Sequence, residues 1–311
     1  MTANHPSSGS FAAVEIDSPS EAQLKRAFRA QPHRFIDIGH SHLAYWKFGR
    51  GPDLVFIHGW PLDAATFRRI VPTLARSFTC HLFDLPGVGQ SQSSPDAPID
   101  FRSHAASIRR AIDALGLERY ALVAHDSGAL IARYVAADDP RTTALVLGDT
   151  EIPGHTPPLI IAYAMLARAP FGAEALGAVL RSPRLRRSAF AYGGCFTDVD
   201  YMDGDFHDLF IDPMLRSRSI VLAQLRPLRK LHKGLLDEVA RAHRTIRAPV
   251  QLIWGTDDPF FPIEKARAMA STFHTPASFV EIPGGKVFPH EDHAEVFARH
   301  ANDFLRKHLQ N

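Results

Sequence analysis

"LVAHDSGALIA", Leu122 to Ala132, carries an apolar run straight into His125-Asp126-Ser127-Gly128 and on into apolar residues at helical spacing. That is a strand, a sharp turn and a helix with no loop between them. Such an elbow crowds the backbone, so small residues are needed two places before and two places after its tip. With Asp126 at the tip the flanks are Ala124 and Gly128, which fit. With Ser127 there, they would be His125 and Ala129, and the imidazole is too bulky. The tip is therefore read as a carboxylate rather than a hydroxyl. An aspartate here can also simply N-cap the following helix, so the rest of the chain has to decide.

Working outward, apolar runs of strand length alternate with helical patterns. "RFIDIG" and "HLAYWKFG" read as paired strands, and "DLVFIHG" (53–59) as a strand ending at glycine. "DAATFRRIVPTLARSF" has helical spacing, "CHLFDLPG" is a strand ending in a turn, and "FRSHAASIRRAIDALGL" is an amphipathic helix. After the elbow come a helix stopped by proline, "ALIARYVAADDP", and the strand "TTALVLGD". "PVQLIWGTDD", "EKARAMASTF", "ASFVEIPG" and "HAEVFARHANDFLRKHL" close the chain as strand, helix, strand, helix. This alternation predicts an α/β fold, a mostly parallel twisted sheet flanked by helices. In such sheets chemistry gathers at the carboxyl ends of the strands.

Residues 151–245 break the pattern. "PPLIIAYAMLARAP", "AEALGAVL", "LRRSAFAYGG" and "LRSRSIVLAQLRPLRKLH" are helical and rich in arginine and aliphatics. They are expected to form a helical cap inserted into a core of residues 31–150 and 246–311. Residues 1–30 contain "NHPSSGS" early, read as a partly disordered arm, and continue in "SEAQLKRAFRA", a short surface helix.

The 311 residues are 45% hydrophobic and 22% charged, enough apolar matter for a large core. A net charge of +2 gives no bulk attraction to nucleic acid. Cys80 and Cys195 match neither a disulfide framework nor a metal-site spacing and suggest a reducing compartment. No apolar run has the roughly 18 residues of a membrane span, and a cytoplasmic protein is expected. No cofactor or metal is implied, and a homodimer is compatible with the composition.

Four motifs carry a resemblance. "HGWP" (His58–Pro61), "DLPGVGQS" (Asp84–Ser91), "HDSG" (His125–Gly128) and "WGTDDPFFP" (Trp254–Pro262) follow in order at predicted strand ends. Together they resemble an α/β-hydrolase, and the carboxylate elbow resembles the branch of epoxide hydrolases and haloalkane dehalogenases. The resemblance covers roughly His33 to the C-terminus. It implies that Asp126 attacks an sp³ carbon to give an alkyl ester. It implies an oxyanion hole from the backbone N–H groups of Trp60 and Ser127. The acid that orients a histidine base lies three residues after the strand-ending glycine in the family, which selects Asp258 over Asp257. "DLPGVGQS" lacks the lysine of a phosphate loop, so its glycines are read as a tight turn and Asp84 as structural.

"GGKVFPHEDH", Gly284 to His293, departs from the family. There the base follows a glycine, four residues before an acidic pair. Counting back from Glu291–Asp292 puts Val287 at the base position and Lys286 at the glycine. Three readings stay open. His290, one helical turn on, swings back and takes the role. Lys286 pairs with Asp258 or Asp126, and becomes a base only if burial lowers its pKa by several units. Or the site binds a ligand without turnover, or stalls at the ester. His293 is read as a helix-start histidine.

Epoxide opening in the family uses cap tyrosines, and Tyr163, Tyr192 and Tyr201 are available, the first two as candidate pocket residues along with His58. Dehalogenases often place tryptophan directly after the nucleophile, where this chain has Ser127. Fluoroacetate-type relatives place arginines after it, and "DSGAL" has none. The expected partner is a small hydrophobic substrate. The arginines of "RSPRLRRS" and "RPLRKLHK" read as solvated cap helices or as an attraction for an acidic ligand or membrane surface. A serine esterase or lyase acting through Ser127 is a third class.

Overall fold

The apolar runs become one sheet. The computed structural model describes residues 16–232 and 234–310. Its strands are β1 (Arg34–Asp37), β2 (Ser41–Phe48), β3 (Asp53–Ile57), β4 (Thr79–Phe83), β5 (Gln92–Ser93), β6 (Tyr120–His125), β7 (Thr142–Gly148), β8 (Val250–Gly255) and β9 (Ser278–Ile282). They lie in the order β1-β2-β4-β3-β6-β7-β8-β9, with β5 beside β2. From β4 to β9 every pairing is parallel, and β2 is antiparallel to β1, β4 and β5. Every residue of β4, β6 and β8 is buried. A parallel strand covered on both faces needs such an unbroken apolar run.

The helices are α1 (Glu21–Arg29), α2 (Val71–Leu74), α3 (Phe101–Ala114), α4 (Ser127–Asp138), α5 (Pro158–Arg168), α6 (Gly172–Arg181), α7 (Pro183–Arg186), α8 (Asp212–Arg216), α9 (Arg218–Leu225), α10 (Leu235–Thr245), α11 (Ile263–Ala270), α12 (Pro289–Asp292) and α13 (Ala294–Leu309). α3, α4 and α10 pack together as one flanking layer, while α13 packs on α2, α12 and β7. α3 buries Phe101, Ala105, Ile108 and Ile112, the 3–4 spacing of one helix face. α4 sits between α3, α10 and the sheet and is buried on all sides from Ser127 to Ala136. At its start α1 carries a capping box, with Gln23 N–H donating to Ser20 Oγ at 3.3 Å and Ser20 N–H to Gln23 Oε1 at 2.8 Å. The expected arm lies, over residues 1–15, outside the described residues.

Two helical expectations change. "DAATFRRIVPTLARSF" is not one helix. It forms a 3₁₀ turn at Ala64–Arg69, capped by the Asp63 side chain, and then the short α2. Pro72 has no N–H to continue a ladder and sits instead in the first turn of α2, where none is needed. "LRRSAFAYGG" is helical only to Arg186, and Tyr192–Gly194 is a single 3₁₀ turn. Its two glycines are there for space, since a Cβ on Gly193 would lie 1.9 Å from the Arg187 carbonyl oxygen. The last helix of the stretch 151–245, α10, packs on α4 beside the sheet.

Candidate active site

The elbow is strained at one residue. Asp126 has φ 50° and ψ −135°, the only positive φ outside glycine among the described residues. A non-glycine residue stays in that region only when its surroundings hold it there. Here Asp126 N–H donates to the Asp149 carbonyl at 2.9 Å, and the Thr150 hydroxyl donates to the Asp126 carbonyl at 2.8 Å. The backbone of β3 presses in from the other side: a Cβ on Gly128 would lie 2.2 Å from the Ile57 oxygen and 2.5 Å from that of His58. The tip is Asp126, and Ser127 already belongs to α4.

Trp60 N–H points at this tip and donates to Asp126 Oδ2 and Ser127 Oγ, both at 2.9 Å. Burial, and then the charge of Glu151, push the Asp126 carboxyl well above its usual range, while the N–H groups of Ser127 and Trp60 pull it down. The backbone donors expected of an oxyanion hole thus meet around this carboxyl group.

Above Asp126 lies a narrow apolar cavity, with about 60 Å³ open to the centre of a water-sized sphere. The core supplies Trp60, Pro61, Phe260, Phe261, Val287 and Phe288 to its wall. The helical stretch supplies Ile160, Tyr163, Leu176, Val179, Leu180, Ala191, Tyr192, Cys195 and Met214. Tyr163 is spoken for, its hydroxyl donating to the Phe190 carbonyl at 2.7 Å. The Tyr192 hydroxyl is buried with no hydrogen-bond partner, and burial holds its proton on. Tyr201 is elsewhere, donating to Glu291 at 2.6 Å. All three indole N–H groups are committed to carbonyls: Trp46 to Ala27, Trp60 to Gln224 and Trp254 to Phe261.

Val287 lines the cavity. His290 does not. It is fully buried behind the wall, its Nε2 2.7 Å from the Thr66 hydroxyl, whose own hydrogen goes to Glu291. The His290 ring packs on His125 at 4.1 Å and against Phe67 and Phe297. Burial, helped by the charge of Arg68, lowers its pKa to about 3. The expected return of His290 into the pocket is therefore corrected by its position, because Thr66 and the surrounding rings fix it outside. His58 is corrected likewise. It does not line the cavity but sits below it, accepting from Leu85 N–H at 3.0 Å, with burial lowering its pKa to about 4. His293 stands directly before α13 and meets Thr197 at 3.0 Å. Lys286 is half-buried and makes no ion pair with Asp258 or Asp126.

Asp258 is held by Phe260 and Phe261 N–H at 2.7 and 3.0 Å, both on Oδ1, and its Oδ2 is unpartnered. Burial pushes its carboxyl up to about 6, against the pull of those N–H groups. Its neighbour is a residue the motifs did not flag. Asp149, at the end of β7, accepts from Gly255 N–H at 3.0 Å and leaves its own Oδ2 unpartnered. Burial first, then the charge of Asp258, drive the Asp149 carboxyl well above its usual range. An acid immediately after a parallel strand was the available signal. Cys195 was missed too, because its place in the wall depends on the helical stretch folding over the sheet. Asp84 ties two loops, accepting from Ala64 and Gln90 N–H at 3.0 and 2.7 Å.

A family profile described as alpha/beta hydrolase fold matches residues 52–294, and the chain belongs to that family. It is 33% identical over 117 residues to a fluoroacetate dehalogenase of a Burkholderia species, covering 36% of this chain and 38% of that one. It is 34% identical over 107 residues to a soluble epoxide hydrolase of Corynebacterium sp. strain C12, covering 34% and 37%. The chain thus spans little more than a third of the length of either relative. An epoxide hydrolase structure superposes with a TM-score of 0.72 at 19% identity, over 88% of this chain and 98% of that one, a likeness of fold.

Proposed function

We propose that this α/β-hydrolase takes a slim apolar electrophile, an epoxide before a haloalkane, onto Asp126 as an alkyl ester and releases it slowly. The carrying observation is a carboxyl group at the elbow tip, met by Trp60 and Ser127, under an apolar cavity that Val287 helps to line. We take residues 151–245 as the cap over a core of 31–150 and 246–311.

In the first half of the reaction Asp126 Oδ attacks an sp³ ring carbon. The carbon–oxygen bond breaks, and its electron pair leaves on the epoxide oxygen. To Tyr192, which lines the cavity with its hydroxyl unpartnered, we assign the hydrogen bond to that oxygen and the supply of its proton. A halide would need other donors, and the indole N–H groups are already used, which favours the epoxide. The second half requires a group to take a proton from the attacking water. Among the described residues the cavity wall holds no histidine or lysine. Asp258 keeps the position of an orienting acid with no imidazole to orient.

The test is the intact mass of the protein after incubation with styrene oxide and with a bromoalkane. A lasting adduct, lost in Asp126→Ala and kept in Ser127→Ala, is the expected result. Repeated release of diol, abolished by His290→Ala, would return the base to His290. Labelling by a fluorophosphonate would move the chemistry to Ser127.

A further inference from the structure

We propose that the outer face of α5, α6 and α7 is a docking surface for an anionic lipid bilayer. The proposal rests on that surface and not on the chemistry at Asp126. Five of the seven exposed large hydrophobic side chains among the described residues fall between residues 161 and 190: Ile161, Met165, Phe171, Leu185 and Phe190, with Phe35 and Ile220 outside. Phe190, Phe171 and Met165 are 78%, 76% and 68% exposed. Scattered single hydrophobics are ordinary on a surface, but large ones gathered together are not.

The elements that carry them are neighbours. α5 packs on α6, and α6 on α7. The Tyr163 hydroxyl donates to the Phe190 carbonyl and draws that residue to α5. α5 is apolar on both sides. Ile160 and Tyr163 face the cavity, while Ile161 and Met165, one turn apart, face outward.

The charge beside this face selects its occupant. Arg186 and Arg187 are neutralised by Asp203 and Asp200, and Glu174 is met by Arg218. Arg181 and Arg184 are exposed and have no acidic partner among the described residues. Exposed aromatic and aliphatic side chains with unpaired guanidinium groups are the pattern of an interfacial surface on anionic lipid. A two-fold copy of the same face would bring like charges together. No helix among the described residues is long and apolar enough to cross a membrane, so the contact would be peripheral. An apolar substrate dissolved in lipid would then be held close to the helices that line the cavity.

The experiment is sedimentation of the full chain with vesicles of phosphatidylcholine, with and without phosphatidylglycerol. The expected result is binding to the anionic vesicles, weakened by added salt. Arg181→Gln with Arg184→Gln should lower that partitioning about thirtyfold, and Phe171→Ser with Phe190→Ser should abolish it. Ile161→Ser with Met165→Ser repeats the test at a second site, and circular dichroism verifies each fold. Failure to sediment with anionic vesicles at low salt overturns the proposal. So does a solution dimer by light scattering that the Phe171→Ser, Phe190→Ser pair dissociates, because the face would then belong to a second copy.

Discussion

Asp126 is a buried acid that the backbone N–H groups of Trp60 and Ser127 partly re-solvate. Burial and Glu151 oppose its charge, and two N–H groups favour it. Ser127, one residue on, receives the same Trp60 N–H but lies within the helix. Ser127→Ala should therefore keep adduct formation within about threefold, the cost of one adjusted hydrogen bond. A loss of a hundredfold or more in the adduct rate would contradict that role. Asp258 gives a pH signature. Its carboxyl is raised to about 6, so the folded state binds this proton more tightly than the unfolded chain does. The stability it contributes is fully present below the ordinary carboxylate pKa and is lost as pH rises through about 6. In Asp258→Asn the fall in melting temperature over that window should be shallower. An unchanged slope would show that Asp258 is not the group responsible. The elbow tip could be read from Ala124 and Gly128, because crowding there is local in sequence. Asp149 carried only the weaker signal of an acid directly after a parallel strand, because the residue that makes it important, Asp258, lies more than a hundred positions away.

At the scale of elements, the sheet was legible because buried parallel strands are written as unbroken apolar runs. The helix after β3 was misjudged. Its spacing was helical, but Asp63 and Pro72 divide it into two short turns. The elbow also needs room. Gly128→Ala would set a methyl group 2.2 Å from the Ile57 carbonyl oxygen, which is fixed in the ladder of β3. The expected loss is roughly 3 kcal/mol or more, read as a lower urea midpoint. A midpoint within error of the parent would mean that α4 and β3 can separate without cost.

Over the whole molecule, one polar network ties the helical stretch to the core. Arg68 is fully buried and donates to Glu291 at 2.8 Å, Thr66 donates to Glu291 at 2.9 Å, and Tyr201 donates to it from the helical stretch. Glu291→Ala leaves a buried guanidinium without its counter-charge, and the expected loss is roughly 3–5 kcal/mol. A loss under about 1 kcal/mol by denaturant titration would mean that water reaches Arg68. The sequence showed Glu291 only as a marker for counting back to the base. Its role in joining the two parts depends on Arg68 and Tyr201, both far upstream in the chain.

The same counting singles out Val287, and placing an imidazole there asks the molecule directly whether only a base is missing. The measurement is a chase: protein loaded with styrene oxide is freed of excess reagent and its mass followed in time, beside Val287→His. The parent should keep its adduct while the variant sheds it about a hundredfold faster, with diol released. Equal decay in the two, or a parent that sheds the adduct as fast as it forms, would contradict an Asp126 ester that lacks a base.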